Sequence, residues 1–152
     1  MNQKKKLLVV DDEPDVRAGL VRLFEFRGYE VFKAENGGEA LHILENNPGI
    51  AAVILDIMMP GLSGLEVLSR IKETERNQIP VILLTAKSTI GDVASGYNKG
   101  AHFYITKPFD PRVLLNAVDY LVGSLTPEEH AQVELDLLTA DGVAWGLRSL
   151  TS

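Results

Sequence analysis

The segment Leu7-Leu8-Val9-Val10-Asp11-Asp12-Glu13-Pro14 decides how the rest of the sequence is interpreted. Its four apolar residues have no polar residue between them and run directly into three acidic side chains. Such a run is typical of a strand that is buried on both faces, as in a parallel sheet. After the acids, the apolar positions are spaced as on the inner face of a helix, at Val16, Leu20, Leu23 and Phe24. The segment therefore predicts a buried strand, an acidic loop and a helix.

The same unit recurs along the chain, so that strands and helices alternate throughout. Such alternation implies a doubly wound parallel sheet with helices on both sides. We therefore predict an α/β fold in which a five-stranded parallel sheet is flanked by five helices. Tyr29–Ala34 alternates more than the other runs, and we expect it near an edge of the sheet. The predicted strands are Leu7–Val10, Tyr29–Ala34, Ala51–Leu55, Val81–Leu84 and His102–Ile105.

The predicted helices differ in how clearly their apolar faces are defined. The fourth, around Ile90–Lys99, contains Gly91 and Gly96. It is expected to be the least stable, because an interior Gly costs roughly 1 kcal/mol relative to Ala. Gly28 is placed to end the first helix, and Asn36-Gly37-Gly38 is interpreted as a turn and cap. The inward positions of the second, third and fifth helices are Ala40, Leu41 and Leu44; Leu65, Leu68 and Ile71; and Val113, Leu114, Ala117, Val118 and Leu121.

Polar side chains of a particular kind follow the predicted strands. In open α/β sheets, ligands bind beyond the carboxyl ends of the strands, at a topological switch point. A single Asp at such a place is most simply a helix N-cap. The set as a whole is harder to explain in that way, since it combines three carboxylates, a hydroxyl and an ammonium group. Its members are Asp11 and Asp12, Asp56, Thr85 and Lys107.

These groups suit phosphoryl transfer to a carboxylate. Clustered carboxylates repel one another and are costly to keep ionised without a cation. Mg²⁺ takes oxygen ligands and bridges readily to phosphate. A carboxylate can attack phosphorus, and the charge that develops on the phosphoryl oxygens requires a metal and a cation such as Lys107. The hydroxyl of Thr85 can donate a hydrogen bond to another of those oxygens.

Four motifs in this order resemble the receiver domain of two-component response regulators, which has a CheY-like, flavodoxin-like fold. The resemblance covers about residues 5–123, and the motifs taken together are highly specific. They are the opening segment at 7–14, Asp56-Ile57-Met58-Met59-Pro60-Gly61, Leu84-Thr85-Ala86 and Ile105-Thr106-Lys107-Pro108-Phe109.

The resemblance implies a role for each matching position. Asp56 would accept a phosphoryl group from a phosphohistidine on a sensor histidine kinase or a phosphotransfer protein. Asp12, Asp56 and the backbone carbonyl of Met58 would bind Mg²⁺ directly, and Asp11 would bind it through water. Lys107 would pair with the phosphoryl group beside a cis bond to the following proline.

The resemblance also implies how the signal leaves the site. Thr85 would move toward a phosphoryl oxygen, and Tyr104 would rotate inward as it does so. Together with the added charge, these movements would bias a two-state surface formed by the fourth helix, the fifth strand and the fifth helix. A downstream protein or a second copy of the chain would bind that surface. The chain would act as a signalling switch and not as an enzyme with external substrates.

About thirty residues follow the receiver-like part, and we divide the chain into residues 1–123 and 124–152. Thr126 as N-cap, Pro127 at the first position and Glu129 in a capping box predict a helix. This helix is expected to run to about Thr139, with Asp141-Gly142 as its stop. A second short amphipathic piece is expected over Val143–Leu150.

The role of this extension is left open by the sequence. Leu125-Thr126-Pro127-Glu128 resembles the opening of helix-turn-helix output domains, but no basic recognition helix follows. Residues 124–152 carry a local charge of −4, which is unfavourable for binding phosphates. The extension is either a linker to an absent domain or a helix that packs on the receiver or on another subunit. The chain could accordingly be a stand-alone regulator, a phosphorelay intermediate or a truncated transcription regulator.

Composition excludes several other classes of protein. The 152 residues carry a net charge of −6, which disfavours binding to DNA or anionic lipid. Because cysteine is absent, disulfides, thiolate catalysis and cysteine-based zinc sites are excluded. The apolar run after Lys4-Lys5-Lys6 is too short for a signal peptide, and no later run approaches the roughly 18–20 apolar residues of a membrane span. A cytoplasmic location is expected.

Three other functions fit the residues less well than a signalling switch does. A phosphatase of the haloacid dehalogenase type also uses an aspartyl nucleophile and Mg²⁺, but it has a second Asp two residues later, where this chain has Met58. A flavodoxin-like cofactor binder is disfavoured, because no flavin phosphate loop is recognisable. A phosphorylation-independent adaptor is disfavoured by the intact acidic set. The three histidines, His42, His102 and His130, show no metal-ligand spacing.

Overall fold

A single sheet with helices on both faces forms the protein in this computed structural model, which describes residues 4–86 and 100–145. The strands are β1 (Lys6–Val10), β2 (Glu30–Ala34), β3 (Ile50–Leu55), β4 (Val81–Thr85), β5 (Phe103–Thr106) and β6 (Val143–Trp145). The helices are α1 (Pro14–Arg27), α2 (Gly37–Asn46), α3 (Gly64–Lys72), α4 (Pro111–Val122) and α5 (Pro127–Thr139). Each predicted strand of the parallel sheet lies within one residue of the observed one.

The sheet has the order β2-β1-β3-β4-β5-β6. The strands from β2 to β5 pair in parallel, as predicted, and β2 lies at an edge. The α/β fold with a five-stranded parallel sheet is thus confirmed, with a sixth strand added. The predicted fifth helix is α4, whereas the helix predicted around Ile90–Lys99 lies outside the described residues.

The central strands bury both of their faces, which explains their continuous apolar sequences. Leu8, Val53 and Leu55 belong to a core cluster on the face that α2 and α3 cover. Leu7 and Ile54 belong to a second cluster on the opposite face, with residues of α1 and α4. Because successive side chains of a strand point to opposite faces, each strand contributes to both clusters.

The loops around the helices follow the predicted turn chemistry. Gly28 ends α1 with φ 105°, a left-handed conformation that glycine adopts without strain. The side chain of Asn36 caps α2 by accepting a hydrogen bond from the N–H of Glu39. Among the described residues, no helix is long and apolar enough to cross a membrane.

The C-terminal extension packs on the rest of the protein. The predicted capping box of Thr126 and Glu129 is present, and α5 ends at Thr139 as expected. The piece expected over Val143–Leu150 forms a strand over its first three residues, and residues 146–150 lie outside the described part. This strand forms because Gly142, at φ 77°, turns the chain alongside the edge of β5, where it pairs antiparallel. The extension is therefore not purely helical.

Candidate functional site

Three carboxylates converge beyond the carboxyl ends of β1 and β3. Val10 pairs with Leu55, so Asp11 and Asp56 are the next residues of two neighbouring parallel strands. The N–H of Asp56 donates a hydrogen bond to the carbonyl of Val10 at 3.0 Å. Asp11, Asp12 and Asp56 each offer an oxygen that lies within 4.8 Å of the others. Since β1 separates β2 from β3, this point is also where the strand order reverses.

Backbone groups hold the two buried carboxylates in place. Asp11 is 1% exposed and Asp56 is 4% exposed. The N–H of Glu13 donates to Oδ1 of Asp11 at 2.9 Å, and the N–H of Met58 donates to Oδ1 of Asp56 at 3.0 Å. Oδ1 of each carboxylate thus accepts a hydrogen bond from the loop that follows its own strand. The Oδ2 atoms of both carboxylates contact the same lysine.

Lys107 bridges the two buried carboxylates. Its Nζ lies 2.8 Å from Oδ2 of Asp11 and 3.4 Å from Oδ2 of Asp56. Glu13 is more distant, at 3.9 Å. The N–H of Lys107 donates to the carbonyl of Thr85 at 2.9 Å, which ties the residue to the end of β4. The bond from Lys107 to Pro108 is cis, as the resemblance implied.

The pKa values of the site reflect its burial and its charges. Burial raises the pKa of Asp56, and Asp11 adds to this effect, while the N–H of Met58 and the charge of Lys107 oppose it. Burial alone would lower the pKa of Lys107, but Asp11 and Asp56 together raise it above the ordinary value. Lys107 is therefore a permanent cation at neutral pH, and Asp56 is a carboxylate whose ionised form is costly without a further positive charge.

The arrangement fits a hard divalent cation. Three oxygen donors close together, two of them buried, are the ligand type that Mg²⁺ prefers. Among the residues described, Lys107 is the only cation that forms an ion pair with the side chains of Asp11 and Asp56, while Arg17 donates to the backbone carbonyl of Asp11 at 2.8 Å. The local charge is therefore negative, and a metal would compensate for it.

The remaining predicted residues lie around this acidic cluster. Thr85, fully buried at the end of β4, pairs in register with Thr106 of β5. Tyr104 is 1% exposed and belongs to the core cluster that α2 and α3 cover. Met58 is 53% exposed on the loop after Asp56, whereas Met59 is buried. The structure thus places Thr85 and Met58 beside the acidic cluster at one rim of the sheet, whereas Tyr104 lies within β5 opposite Leu83; the individual roles of these residues stay predictions.

Gly64 is a site residue that the sequence analysis missed. It is the first residue of α3 and packs directly on the backbone after β3. A Cβ at this position would lie 2.1 Å from the carbonyl oxygen of Asp56 and 2.7 Å from Cα of Ile57. Its N–H donates to the carbonyl of Ile57 at 2.9 Å. The sequence contains one signal for this position, because Gly64 follows Ser63, a residue type that commonly caps the start of a helix.

Comparison with known proteins agrees with this geometry. The family model described as "Response regulator receiver domain" matches residues 7–119. The chain belongs to this family. Receiver domains are components of two-component signalling systems, so the family inferred from the four motifs is confirmed.

Curated relatives of the receiver are longer proteins. An uncharacterized transcriptional regulatory protein, YkoG of Bacillus subtilis, is 44% identical over 113 residues, which cover 74% of this chain and 49% of the relative. The phosphate regulon transcriptional regulatory protein PhoB of Pseudomonas aeruginosa is 36% identical over 143 residues, with 92% of this chain and 62% of PhoB covered. The receiver thus spans about half to three-fifths of the length of these relatives.

Solved structures of receivers match the fold over nearly their whole length. Chemotaxis protein CheY4 of Vibrio cholerae superposes with a TM-score of 0.74 at 28% identity, covering 78% of this chain and 99% of CheY4. A putative response regulator from Chloroflexus aurantiacus superposes with a TM-score of 0.75 at 32% identity, covering 80% of this chain and 99% of that one. The CheY-like, flavodoxin-like fold is therefore established.

Proposed function

We propose that this receiver accepts a phosphoryl group on Asp56 from a phosphohistidine of a sensor histidine kinase or a phosphotransfer protein. The observation that carries the proposal is the position of Lys107 Nζ between Oδ2 of Asp11 and Oδ2 of Asp56. A buried carboxylate beside a fixed ammonium group and two further carboxylates is poorly explained by stability alone. It is well explained if a metal and a phosphoryl group complete the charge balance.

The chemistry needs little from the protein beyond positioning. A carboxylate oxygen of Asp56 attacks phosphorus, the bond from phosphorus to the donor's imidazole nitrogen breaks, and the bonding electron pair leaves with the imidazole. The hydrogen bond from Met58 N–H to Oδ1 fixes the orientation of the carboxylate. Lys107 neutralises one of the phosphoryl oxygens as negative charge accumulates on them.

Mg²⁺ would be held by Asp12, Asp56 and the backbone carbonyl of Met58, with Asp11 acting through water. When bound, the ion would supply positive charge that offsets the clustered carboxylates and the charge developing on the phosphoryl oxygens. Asp12 is half-buried, unlike its fully buried neighbour Asp11. This difference in burial is consistent with Asp12 as a direct metal ligand on the open side of the site and with Asp11 as an acid that acts through water.

The output follows from what the phosphoryl group would contact. Thr85 and Tyr104 are proposed as the switch pair, and they lie on the neighbouring strands β4 and β5. A downstream protein, or a second copy of the chain, would bind the surface that includes β5. In this structure the outer edge of β5 is paired with β6, so a homodimer through that edge would have to accommodate or displace β6. As the target of a kinase's phosphohistidine, the receiver is expected to act in the cytoplasm.

A second candidate function is favoured by the extent of one alignment with a relative. The PhoB alignment covers 92% of this chain and therefore includes part of residues 124–152. The extension could accordingly belong to the connection between a receiver and an output domain. In that case the chain is a receiver portion of a transcription regulator, and Asp56 keeps the same role.

A labelling experiment with ³²P-labelled acetyl phosphate and Mg²⁺ tests the proposal. It compares the unchanged chain with the variants Asp56→Asn and Asp136→Asn. Asp136 is exposed on α5, so its variant controls for the loss of one carboxylate. We expect base-labile label on the unchanged chain and on Asp136→Asn, and none on Asp56→Asn. Undiminished labelling of Asp56→Asn would refute the assignment. A chelator is expected to suppress labelling of the unchanged chain and of Asp136→Asn.

A further inference from the structure

The C-terminal extension adds an antiparallel strand to the edge of β5. Phe103, Tyr104 and Ile105 pair with Trp145, Ala144 and Val143 respectively. Ala144 packs against the core cluster that contains Tyr104, while Val143 packs against the cluster on the other face. The strand that carries the proposed switch tyrosine is therefore an interior strand of this sheet.

The pairing continues to the residue before Lys107. The N–H of Thr106 donates to the carbonyl of Gly142 at 2.9 Å, and the Thr106 hydroxyl lies 3.4 Å from the same oxygen. On its other side, Lys107 is tied by its own N–H to the carbonyl of Thr85. The backbone at the carboxyl end of β5 is thus fixed by β4 on one side and by the extension on the other.

Helix α5 anchors the strand. Val133 and Leu137 are buried in the same core cluster as Leu114 and Phe103. The ring of His130 stacks on Tyr120, with centroids 4.2 Å apart, and the Tyr120 hydroxyl donates to Glu134 at 3.0 Å. Burial and this bond raise the pKa of Tyr120 to about 12, so the phenol stays protonated as the donor at neutral pH.

These contacts are sufficient to dock the extension but few enough to be reversible. A helix of 13 residues is marginal in water by itself, so α5 depends on its buried side chains. Only two side chains of α5, Val133 and Leu137, are buried, and β6 has three residues. An element held in this way opens more readily than the central strands of a sheet.

We propose that residues 126–145 are a positioning element for the phosphorylation site, which fixes Lys107 through the pairing of Gly142 with Thr106. Docking of the extension and phosphorylation of Asp56 then favour each other. This inference rests on the proposed function, because it assigns a regulator to the same site.

The sign of the coupling follows from the geometry. Lys107 stabilises the phosphoryl group only if its Nζ stays within reach of Asp56, and a cation held in advance acts without the cost of ordering it. If the extension leaves, Thr106 loses the acceptor of its N–H, and the end of β5 has one neighbour only. By linkage, a phosphoryl group that prefers the ordered Lys107 must stabilise the docked extension by the same factor.

The acidic residues of the extension could oppose this effect. Asp141, next to Gly142, is exposed, and its repulsion of a phosphoryl group is screened by salt. If repulsion dominates, releasing the extension will strengthen the binding of a phosphoryl group. If the positioning of Lys107 dominates, releasing the extension will weaken that binding. Measuring the direction of the change therefore distinguishes them.

The test compares two substitutions in α5 that add the same charge. Leu137→Asp places a carboxylate at a position that is 1% exposed, so it releases the extension, whereas Leu138→Asp alters a side chain that is 52% exposed. Beryllofluoride, a phosphoryl analogue, is titrated with Mg²⁺ into each full-length variant by calorimetry. Hydrogen exchange of residues 133–137 and 143–145 reports docking independently.

We expect Leu137→Asp to weaken beryllofluoride binding by about 5-fold or more, in the usual range for coupled sites. Leu138→Asp is expected to change it less than about 2-fold. In the unchanged chain, beryllofluoride should slow exchange of residues 143–145. Equal affinities of the two variants, or tighter binding by Leu137→Asp, would overturn the inference.

A second variant covers the case in which Leu137→Asp does not fold. Gly142→Ala leaves α5 intact, but its Cβ would lie 2.8 Å from the Thr106 hydroxyl oxygen at a φ of 77°. We expect Gly142→Ala to weaken beryllofluoride binding, as Leu137→Asp does, and an unchanged affinity would overturn the inference. If the unchanged chain binds and Asp56→Asn does not, the proposed function stands whatever these variants show. If the unchanged chain does not bind at all, both fail.

Discussion

Asp56 is the residue at which burial and neighbouring charges act in opposite directions. Its raised pKa means that the folded chain binds a proton in a pH range where the unfolded chain has already lost it. Between the ordinary and the raised pKa, the folded state therefore holds more protons, and the free energy of unfolding falls as pH rises. Above the raised pKa this loss is complete. Without a metal, the acceptor is thus a source of instability at neutral pH.

Removing the charge of Asp56 should therefore stabilise the metal-free protein. We expect Asp56→Asn to have a higher free energy of unfolding than the unchanged chain at pH 7 in a chelator. The difference should shrink as the pH falls through the raised pKa and then the ordinary one. Urea unfolding at several pH values measures this difference, with Asp136→Asn as the exposed control. A difference that grows toward acid pH would contradict the assigned sign.

Adding Mg²⁺ should reverse the order of the two proteins. A ligand that binds only the folded state stabilises it by about 2.7 kcal/mol at 100 times its dissociation constant. The unchanged chain should gain this stability, and Asp56→Asn should gain much less, because one proposed ligand is lost. Thermal unfolding with and without Mg²⁺ measures the stability that each protein gains. Equal gains would show that Asp56 is not a metal ligand.

Gly64 shows how a residue without a side chain can shape a carboxylate site. Because its Cβ would meet backbone atoms of Asp56 and Ile57, the clash cannot be relieved by a rotamer change. Gly64→Ala is expected to destabilise the fold by about 1–3 kcal/mol and to weaken Mg²⁺ binding. Gly19→Ala is the matched control, since nothing lies within 4 Å of its Cβ position in α1. That change should stabilise by about 0.5–1 kcal/mol, and urea unfolding compares the two.

At the scale of elements, Arg76 joins α2 and β3 from a distant loop. Its guanidinium donates to the carbonyls of Leu44 at 3.1 Å, Asn47 at 3.2 Å and Ile50 at 2.5 Å. It therefore satisfies carbonyl groups at the end of α2, in the following turn and at the first residue of β3. Helix ends need such partners when they are shielded from water.

Arg76→Met should therefore be costly although the residue lies far from the acidic cluster. It keeps much of the aliphatic stem but leaves three carbonyls without their donor, at an expected cost of about 1–3 kcal/mol. Arg70→Met is the control, because Arg70 is exposed on α3, and it should change stability by less than about 0.5 kcal/mol. Chemical denaturation compares both variants, and equal costs would show that the carbonyl bonds contribute little.

The elements that could be predicted from the sequence are those whose signal is local. The strands, the capping of α2 and the capping box of α5 depend on residues close together in the chain, and they were located within one or two positions. The convergence of Asp11, Asp56 and Lys107 was also predictable, because parallel strands end at the same edge. Their individual catalytic and metal-binding roles stay predictions.

The features that were missed depend on partners distant in sequence. Strand β6 has three residues and forms by pairing antiparallel with the outer edge of β5, far away in sequence. The acceptors of Arg76 lie 26 to 32 residues away. Gly64 is required because α3 approaches the end of β3, which no spacing pattern reveals. Each of these interactions is set by tertiary packing and not by local propensity.

At the scale of the whole molecule, stability should be graded from the centre of the sheet toward the extension. The central strands β1 and β3 are buried on both faces, whereas β6 is short and α5 buries few side chains. We expect amides of Leu8 and Ile54 to exchange only through global unfolding, and those of residues 143–145 through a smaller opening. Native-state hydrogen exchange in low urea measures both. Equal opening free energies would mean that the extension and the sheet unfold as one unit.

Strand β6 also changes what one copy of the chain presents to another. An unprotected strand offers a row of free N–H and C=O groups that can template aggregation. Without β6, that row would belong to β5, whose residues Phe103, Tyr104 and Ile105 are strongly apolar. With β6 in place, the outermost strand on this side has three residues, and on the opposite side β2 presents the exposed charges of Glu30 and Lys33. Conditions that release the extension are thus expected to lower colloidal stability.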